Sequence, residues 1–191
     1  MKTGLYFGSF NPVHIGHLAI ANYMAEFTDL EQVWFVVSPH NPLKKKPSLL
    51  ADRDRYDMVY MAAGDSDMLR VSDIEFSLSK PSYTINTLAY LQEKYPKRTF
   101  SLIMGADNLE TLEKWKNYQE LLDNYDMYVY PRPGSDGGKY KNHERVKMVN
   151  APLMEISGSF LRDAIKKGHN IKYFLPEKVY EYIVDMHFYE K

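Results

Sequence analysis

The stretch Gln32–Ser38 holds the unbroken apolar run Val33-Trp34-Phe35-Val36-Val37. A strand with one wet face alternates polar and apolar residues, so a continuous run of this length belongs in a parallel sheet covered on both sides. Around it, strand-like and helix-like patterns take turns. Leu5-Tyr6-Phe7 closes a short apolar run and meets Gly8-Ser9, a strand ending in a turn. Asn11-Pro12 then reads as a helix entry, with Ile20, Met24 and Phe27 on its buried face to about Thr28. Tyr56, Val59, Tyr60 and Ala63 predict a helix over Asp52–Ala63, ended by Gly64. Leu69–Ser72 is a short strand. Ile85, Leu88, Leu91 and Gln92 mark a helix after Pro81-Ser82-Tyr83, and Phe100–Met104 and Met127–Tyr130 are further strands. Ser157-Gly158-Ser159 opens a helix that stops before Gly168, and Pro176 opens a last one with Val179, Ile183 and Met186 on one side. Arg132–Lys141, with three glycines, is the best candidate for a mobile loop. The expectation is an α/β fold: a Rossmann-like, doubly wound parallel sheet of five or six strands. It forms a single domain over 1–191, with a small helical C-terminal part from about 155.

Composition removes whole classes of function. The absence of cysteine excludes disulfides, thiolate metal sites and cysteine catalysis, which fits a reducing cytoplasm. Lys plus Arg is 24 against 25 Asp plus Glu, so the near-neutral chain is not expected to coat nucleic acid. No apolar run approaches the ~20 residues of a membrane helix, and Met1-Lys2-Thr3-Gly4 leads straight into a strand without a signal peptide. The expected location is cytoplasmic. The oligomeric state, a homo-oligomer included, stays open.

In a doubly wound sheet, ligands bind outside the carboxyl ends of the strands. The turns after Phe7, Ser38 and Met104 all fall there and are rich in polar and special residues. The first is Gly8-Ser9-Phe10-Asn11-Pro12-Val13-His14-Ile15-Gly16-His17. Glycine lets backbone approach a ligand, and the following helix start offers free N–H groups and a positive dipole end. His14 and His17 fall on one face of the first helical turn, with Gly16 between them. On residue physics alone, an anion site and a pair of structural histidines remain open. A metal site is disfavoured, because there is no cysteine and no third ligand at a telling spacing. Ser157, Ser159 and Arg162 form a second anion-site pattern, for which a capped helix with an exposed arginine is the alternative. Lys44-Lys45-Lys46 lies in a loop after the second strand.

His14-Ile15-Gly16-His17 within a strand–turn–helix is the His-x-Gly-His motif of the nucleotidyltransferase superfamily. The ten-residue context resembles the opening of nicotinate-nucleotide adenylyltransferases, Gly-Gly-Ser/Thr-Phe-Asp-Pro-x-His-x-Gly-His, with Phe7 at the first glycine and Asn11 at the aspartate. Ile156-Ser157-Gly158-Ser159-Phe160-Leu161-Arg162 is similar to that family's second phosphate element. Pro81-Ser82-Tyr83-Thr84-Ile85-Asn86-Thr87-Leu88, then Gly105-Ala106-Asp107 with Trp115, then Tyr130-Pro131-Arg132-Pro133-Gly134, follow the family's order across nearly the whole chain.

The resemblance implies adenylyl transfer from ATP to nicotinate mononucleotide, giving nicotinate adenine dinucleotide and pyrophosphate in NAD biosynthesis, with Mg²⁺ on the ATP phosphates. It implies that His14, His17, Ser157, Ser159 and Arg162 hold the triphosphate, with Gly8, Ser9 and Phe10 under ATP as backbone. Gly105 and Asp107 would contact adenosine, and Thr84 and Trp115 the pyridine ring. Lys44 or Lys45 would reach the reacting phosphates, so the catalytic set is His14, His17, Lys44 and Arg162. Alternatives on the same fold use nicotinamide mononucleotide or phosphopantetheine as acceptor. Cytidylyltransferases carry a different second motif. A non-catalytic nucleotide sensor would be expected to lack the His pair or Arg162, and both are present.

Overall fold

The computed structural model describes residues 1–39, 49–64 and 66–190. Six parallel strands form one sheet in the order β3-β2-β1-β4-β5-β6. They are β1 (Lys2–Gly8), β2 (Gln32–Val37), β3 (Leu69–Ser72), β4 (Thr99–Gly105), β5 (Met127–Tyr130) and β6 (Val146–Met148). The helices α1 (Ile15–Phe27), α2 (Asp52–Ala63), α3 (Thr84–Lys94), α4 (Ala106–Glu110), α5 (Tyr118–Asn124), α6 (Gly158–Lys166) and α7 (Glu177–Asp185) cover both faces. Strand alternation explains why β2 is apolar from Val33 onward. Val33, Phe35 and Val37 join Ile20, Met24, Met58, Val59, Leu161 and Val179 in one core, beneath α1, α2, α6 and α7. Trp34 and Val36 face the other way, into a second core with Leu88, Leu91, Leu102 and Leu121 under α3 and α5. Strand order reverses between β1 and β4, which pair through Leu5↔Leu102 and Tyr6↔Ile103, and that gap is where such sheets take ligands.

Several expectations need correction. The Asn11-Pro12 turn is not a helix entry: α1 begins at Ile15 with His14 at its N-cap. The Asn11 side chain is used elsewhere, its Oδ1 accepting from the Leu50 N–H at 3.3 Å and the Tyr189 hydroxyl at 2.7 Å. Phe27, Tyr60 and Met186 have the right periodicity but are exposed, and Gln92 is exposed at the outer edge of α3. Periodicity marks a face, but neighbouring elements decide how much of it is covered. Arg132–Lys141 makes contacts to α4 and within itself. Glu110 accepts the Asp136 and Gly137 N–H groups at 2.9 and 3.3 Å, Lys141 pairs with Asp136, and Lys139 pairs with Glu113. Its glycines serve left-handed backbone, with φ of 75° at Gly134, 88° at Gly137 and 62° at Gly138.

Candidate active site

The carboxyl ends of β1 and β5 and the start of α4 open onto a cavity of about 360 Å³. Gly8, Ser9, Phe10, His14, His17, Asp107, Ser157, Ser159 and Arg162 all line it, so two motifs far apart in the chain share one space. Beside it lies a second cavity of about 380 Å³ holding Thr84 and Trp115. Tyr6, Phe7, Gly8, Ser9, Asn108 and Tyr130 line both. The wall between the two spaces is therefore the end of β1.

His14 and His17 stack with ring centroids 3.7 Å apart and planes inclined at 26°. Burial, and then the charge of Arg132, push the His14 imidazole down to about 4, so it is neutral at ordinary pH. The two rings thus do not act as a pair of adjacent cations. The His17 ring is oriented by the backbone: its Nδ1 accepts the His14 N–H at 3.3 Å. That bond leaves Nε2 to carry the proton in the neutral ring and donate it. A Cβ on Gly16 would stand 3.0 Å from His14 Nδ1, so the glycine makes the stack fit. Phe10 holds a left-handed φ of 45°, with its ring buried against His17 at 5.1 Å and Phe35 at 5.4 Å. A bulky residue with such a φ persists only where packing over-determines it.

At the other end of the cavity, Ser157 caps α6 by accepting the Phe160 N–H at 3.2 Å. Arg162 donates to the Asn11 carbonyl at 2.7 Å and to Ser159 Oγ at 3.3 Å. A Cβ on Gly158 would lie 2.9 Å from that same carbonyl, so α6 can approach the turn only with glycine there. Gly105 has a structural task at the end of β4. It is the N-cap of α4 and lines neither cavity. A Cβ there would meet Asp107 Oδ1 at 2.4 Å and Arg132 Cγ at 2.8 Å. The glycine makes room for the Asp107–Arg132 pair, which closes at 3.6 Å.

The second cavity is more apolar and aromatic. Trp115 and Tyr83 border it, with the Lys116 ammonium 4.6 Å from the Tyr83 ring centre. Thr84 is the first residue of α3, where the N–H groups of the opening turn have no intrahelical acceptor. Below it, the buried Glu75 carboxylate accepts from Ser82 at 3.1 Å and Thr87 at 2.7 Å. The hydroxyls of Ser82, before α3, and Thr87, in its first turn, thus face inward and fix the start of the helix. Lys44 and Lys45 lie outside the described residues.

Some site residues carry no assignment from the sequence. Arg132 sits in the quoted Arg-Pro-Gly turn at a strand end, a position that could have marked it as a cation for the site. Arg55 is fully buried on the same side of α2 as Met58 and Val59. It donates to the carbonyls of Ser9 at 2.6 Å, Ser38 at 2.9 Å and Leu50 at 3.1 Å, and to the Asp52 carboxylate at 2.7 Å. A charged residue on an apolar helix face was the signal for it. Burial lowers its pKa and Asp52 opposes that, while its bonds hold the ends of β1 and β2 together.

Among the described residues no group of three or more His, Asp or Glu side chains is placed to hold a metal ion, and no helix is long and apolar enough to cross a membrane. The cytidylyltransferase-like family model matches residues 5–164. The chain is 55% identical to a probable nicotinate-nucleotide adenylyltransferase of Flavobacterium johnsoniae, with all of both chains covered. It is 51% identical to one of Cytophaga hutchinsonii, covering 99% of this chain and 98% of the other. Among solved structures, nicotinic acid mononucleotide adenylyltransferase of Plasmodium falciparum, complexed with NaAD, superposes with a TM-score of 0.84 at 21% identity. That alignment covers 99% of this chain and 97% of the other, and it supports the fold.

Proposed function

The chain belongs to the nicotinate-nucleotide adenylyltransferase family, within the cytidylyltransferase-like group, and from that premise we infer how its two cavities carry out adenylyl transfer from ATP to nicotinate mononucleotide. The observation that carries the reading is the shared wall at Gly8 and Ser9. A polyphosphate in the first cavity and a mononucleotide in the second would meet across backbone, with no side chain between them at Gly8.

The acceptor's phosphate oxygen attacks the α-phosphorus of ATP. A new P–O bond forms, the bond to the bridging oxygen breaks, and its electron pair leaves with pyrophosphate. The nucleophile is already ionised, so no general base is needed, and catalysis reduces to positioning and charge stabilisation. In this reading the protonated Nε2 of His17, the Arg132 and Arg162 guanidiniums and the start of α6 meet the growing negative charge. Neutral His14 supports the His17 ring by stacking. Mg²⁺ enters as the counter-ion of ATP, since the carboxylate lining the polyphosphate cavity, Asp107, is already paired with Arg132. Lys44 or Lys45 remains the proposed further cation. A cytoplasmic setting accords with the cysteine-free composition.

The acceptor is read at the start of α3. A carboxylate takes N–H donors only, whereas an amide brings two donors of its own. Trp115 stacks on a pyridine ring without reading its charge. Pyrophosphate release from ATP, measured with nicotinate mononucleotide, nicotinamide mononucleotide and phosphopantetheine in turn, tests this. The acid is expected to exceed the amide in kcat/KM by at least ~10², the scale set by unpaired polar groups. Equal efficiencies would refute the carboxylate-reading site, and release only with phosphopantetheine would refute the acceptor.

A further inference from the structure

The phosphate turn is held by a residue from the far end of the chain. The Tyr189 hydroxyl donates to Asn11 Oδ1 at 2.7 Å, across a sequence separation of 178 residues. Tyr189 follows α7 and has a left-handed φ of 66°, so the backbone bends out of the helix to bring its ring inward. Phe188 beside it packs edge-on against Tyr182 at 5.6 Å, which anchors the bend. Asn11 is itself buried. Its side-chain oxygen also accepts from the Leu50 N–H at 3.3 Å, and its carbonyl takes the Arg162 guanidinium at 2.7 Å. The residue before it is Phe10, with its left-handed backbone. Ser9, one further back, is held through its carbonyl by Arg55. The three residues Ser9-Phe10-Asn11 are thus fastened from α2, from α6 and from the chain's last turn, and they form one floor of the polyphosphate cavity.

We propose that Tyr189 is a positioning residue for the ATP side of the reaction: its hydroxyl fixes Asn11, and through Asn11 the phosphate turn and the anchor point of Arg162. The inference rests on the reading of the first cavity as the ATP site. Its chemistry fits a permanent clamp. Burial holds the phenol pKa above its ordinary value, so the hydroxyl stays a donor throughout the range in which the protein would work. Asn11 is the place where the chain departs from the family's aspartate. A neutral amide oxygen can accept two neutral donors, the tyrosine hydroxyl and the Leu50 N–H.

The test is Tyr189→Phe, which removes one oxygen and keeps the ring. Losing a single neutral hydrogen bond is expected to raise KM for ATP, and Kd for a non-hydrolysable ATP analogue by calorimetry, roughly three- to tenfold. KM for nicotinate mononucleotide is expected to stay the same, and the melting temperature to fall by no more than a few degrees. In an Asn11→Ala background the same substitution should add nothing, because the partner is already gone. Three outcomes overturn the proposal: unchanged analogue binding, a matching rise in KM for both substrates together with a large loss of melting temperature, or full additivity in the double variant. If the wild-type protein releases no pyrophosphate with any acceptor, the functional reading fails. Analogue binding still judges the tyrosine.

Discussion

The two ends of the sheet handle charge in opposite ways. At the amino end, Lys2 bonds Asp29 at 2.8 Å and Asp126 at 3.1 Å. Lys147 reaches both carboxylates at 3.5 Å, Arg145 joins Asp126, and Tyr128 donates to Asp29. Each charge there has a partner of opposite sign. At the carboxyl end, the Arg132 and Arg162 guanidiniums face one carboxylate, Asp107, in the cavity. His14 Nδ1 is buried with no hydrogen-bond partner among the described residues, and Phe10 sits in left-handed backbone. One end is balanced in charge, the other unbalanced and strained. A polyanion would supply the missing negative charge. In the proposed reading, the sheet is thus stabilised at the end away from the chemistry and carries the cost of function at the other.

The largest test of this contrast is His17→Ala. Losing one donor aimed at transition-state charge is expected to cut kcat by about 10²–10³ while circular dichroism and melting stay near wild type. Turnover within a few-fold of wild type would remove His17 from its assigned role.

Acid should unsettle the two ends in sequence. The folded pKa of His14 is about 4, below the ordinary ~6.5 of an unfolded histidine. As pH falls from 6.5 to 4, the unfolded chain takes up a proton that the folded one refuses, so stability declines across that window. At about 1.36 kcal/mol per unit the full loss approaches ~3 kcal/mol. The hydrogen bond from Lys2, then that from Tyr128, hold Asp29 well below the usual carboxylate range. Its contribution is present above the ordinary carboxylate pKa and lost only in stronger acid. Urea midpoints measured against pH at fixed ionic strength should show the first decline, and His14→Asn should flatten it. An unchanged slope in that variant would assign the decline to other groups.

The smallest expected effect is at the balanced end. Lys2→Met removes one member of a network whose other cations remain, so the loss of stability should be about 1 kcal/mol, with kcat and both KM values unchanged. A change in kcat would show that the two ends are coupled through β1.

What was legible in the sequence was local. The ranges Asp52–Ala63, Leu69–Ser72 and Met127–Tyr130 match the structure residue for residue, because apolar period, turn residues and helix stops all agree within each segment. The pairing of the histidines, the Ser157 cap and the gathering of distant motifs at the strand ends were likewise readable. Missed were β6, which is three residues long, and the short helices α4 and α5. Such segments are too brief for a period to emerge, and Val146–Met148 becomes a strand only because β5 offers an open edge.

The sequence by itself determined the sheet, the order of its motifs and the kinds of group that face the ligand, since each of these follows from residues within a turn or two of one another. Only the tertiary structure decided that His14 is neutral, that Gly105 makes room for the Asp107–Arg132 pair, and that Arg55 and Tyr189 bond the Ser9–Asn11 turn. The reason is physical. Burial sets protonation by removing water, and the partners of a buried polar group are whatever the fold brings within about 3 Å, here from α2, from α6 and from the last residues of the chain.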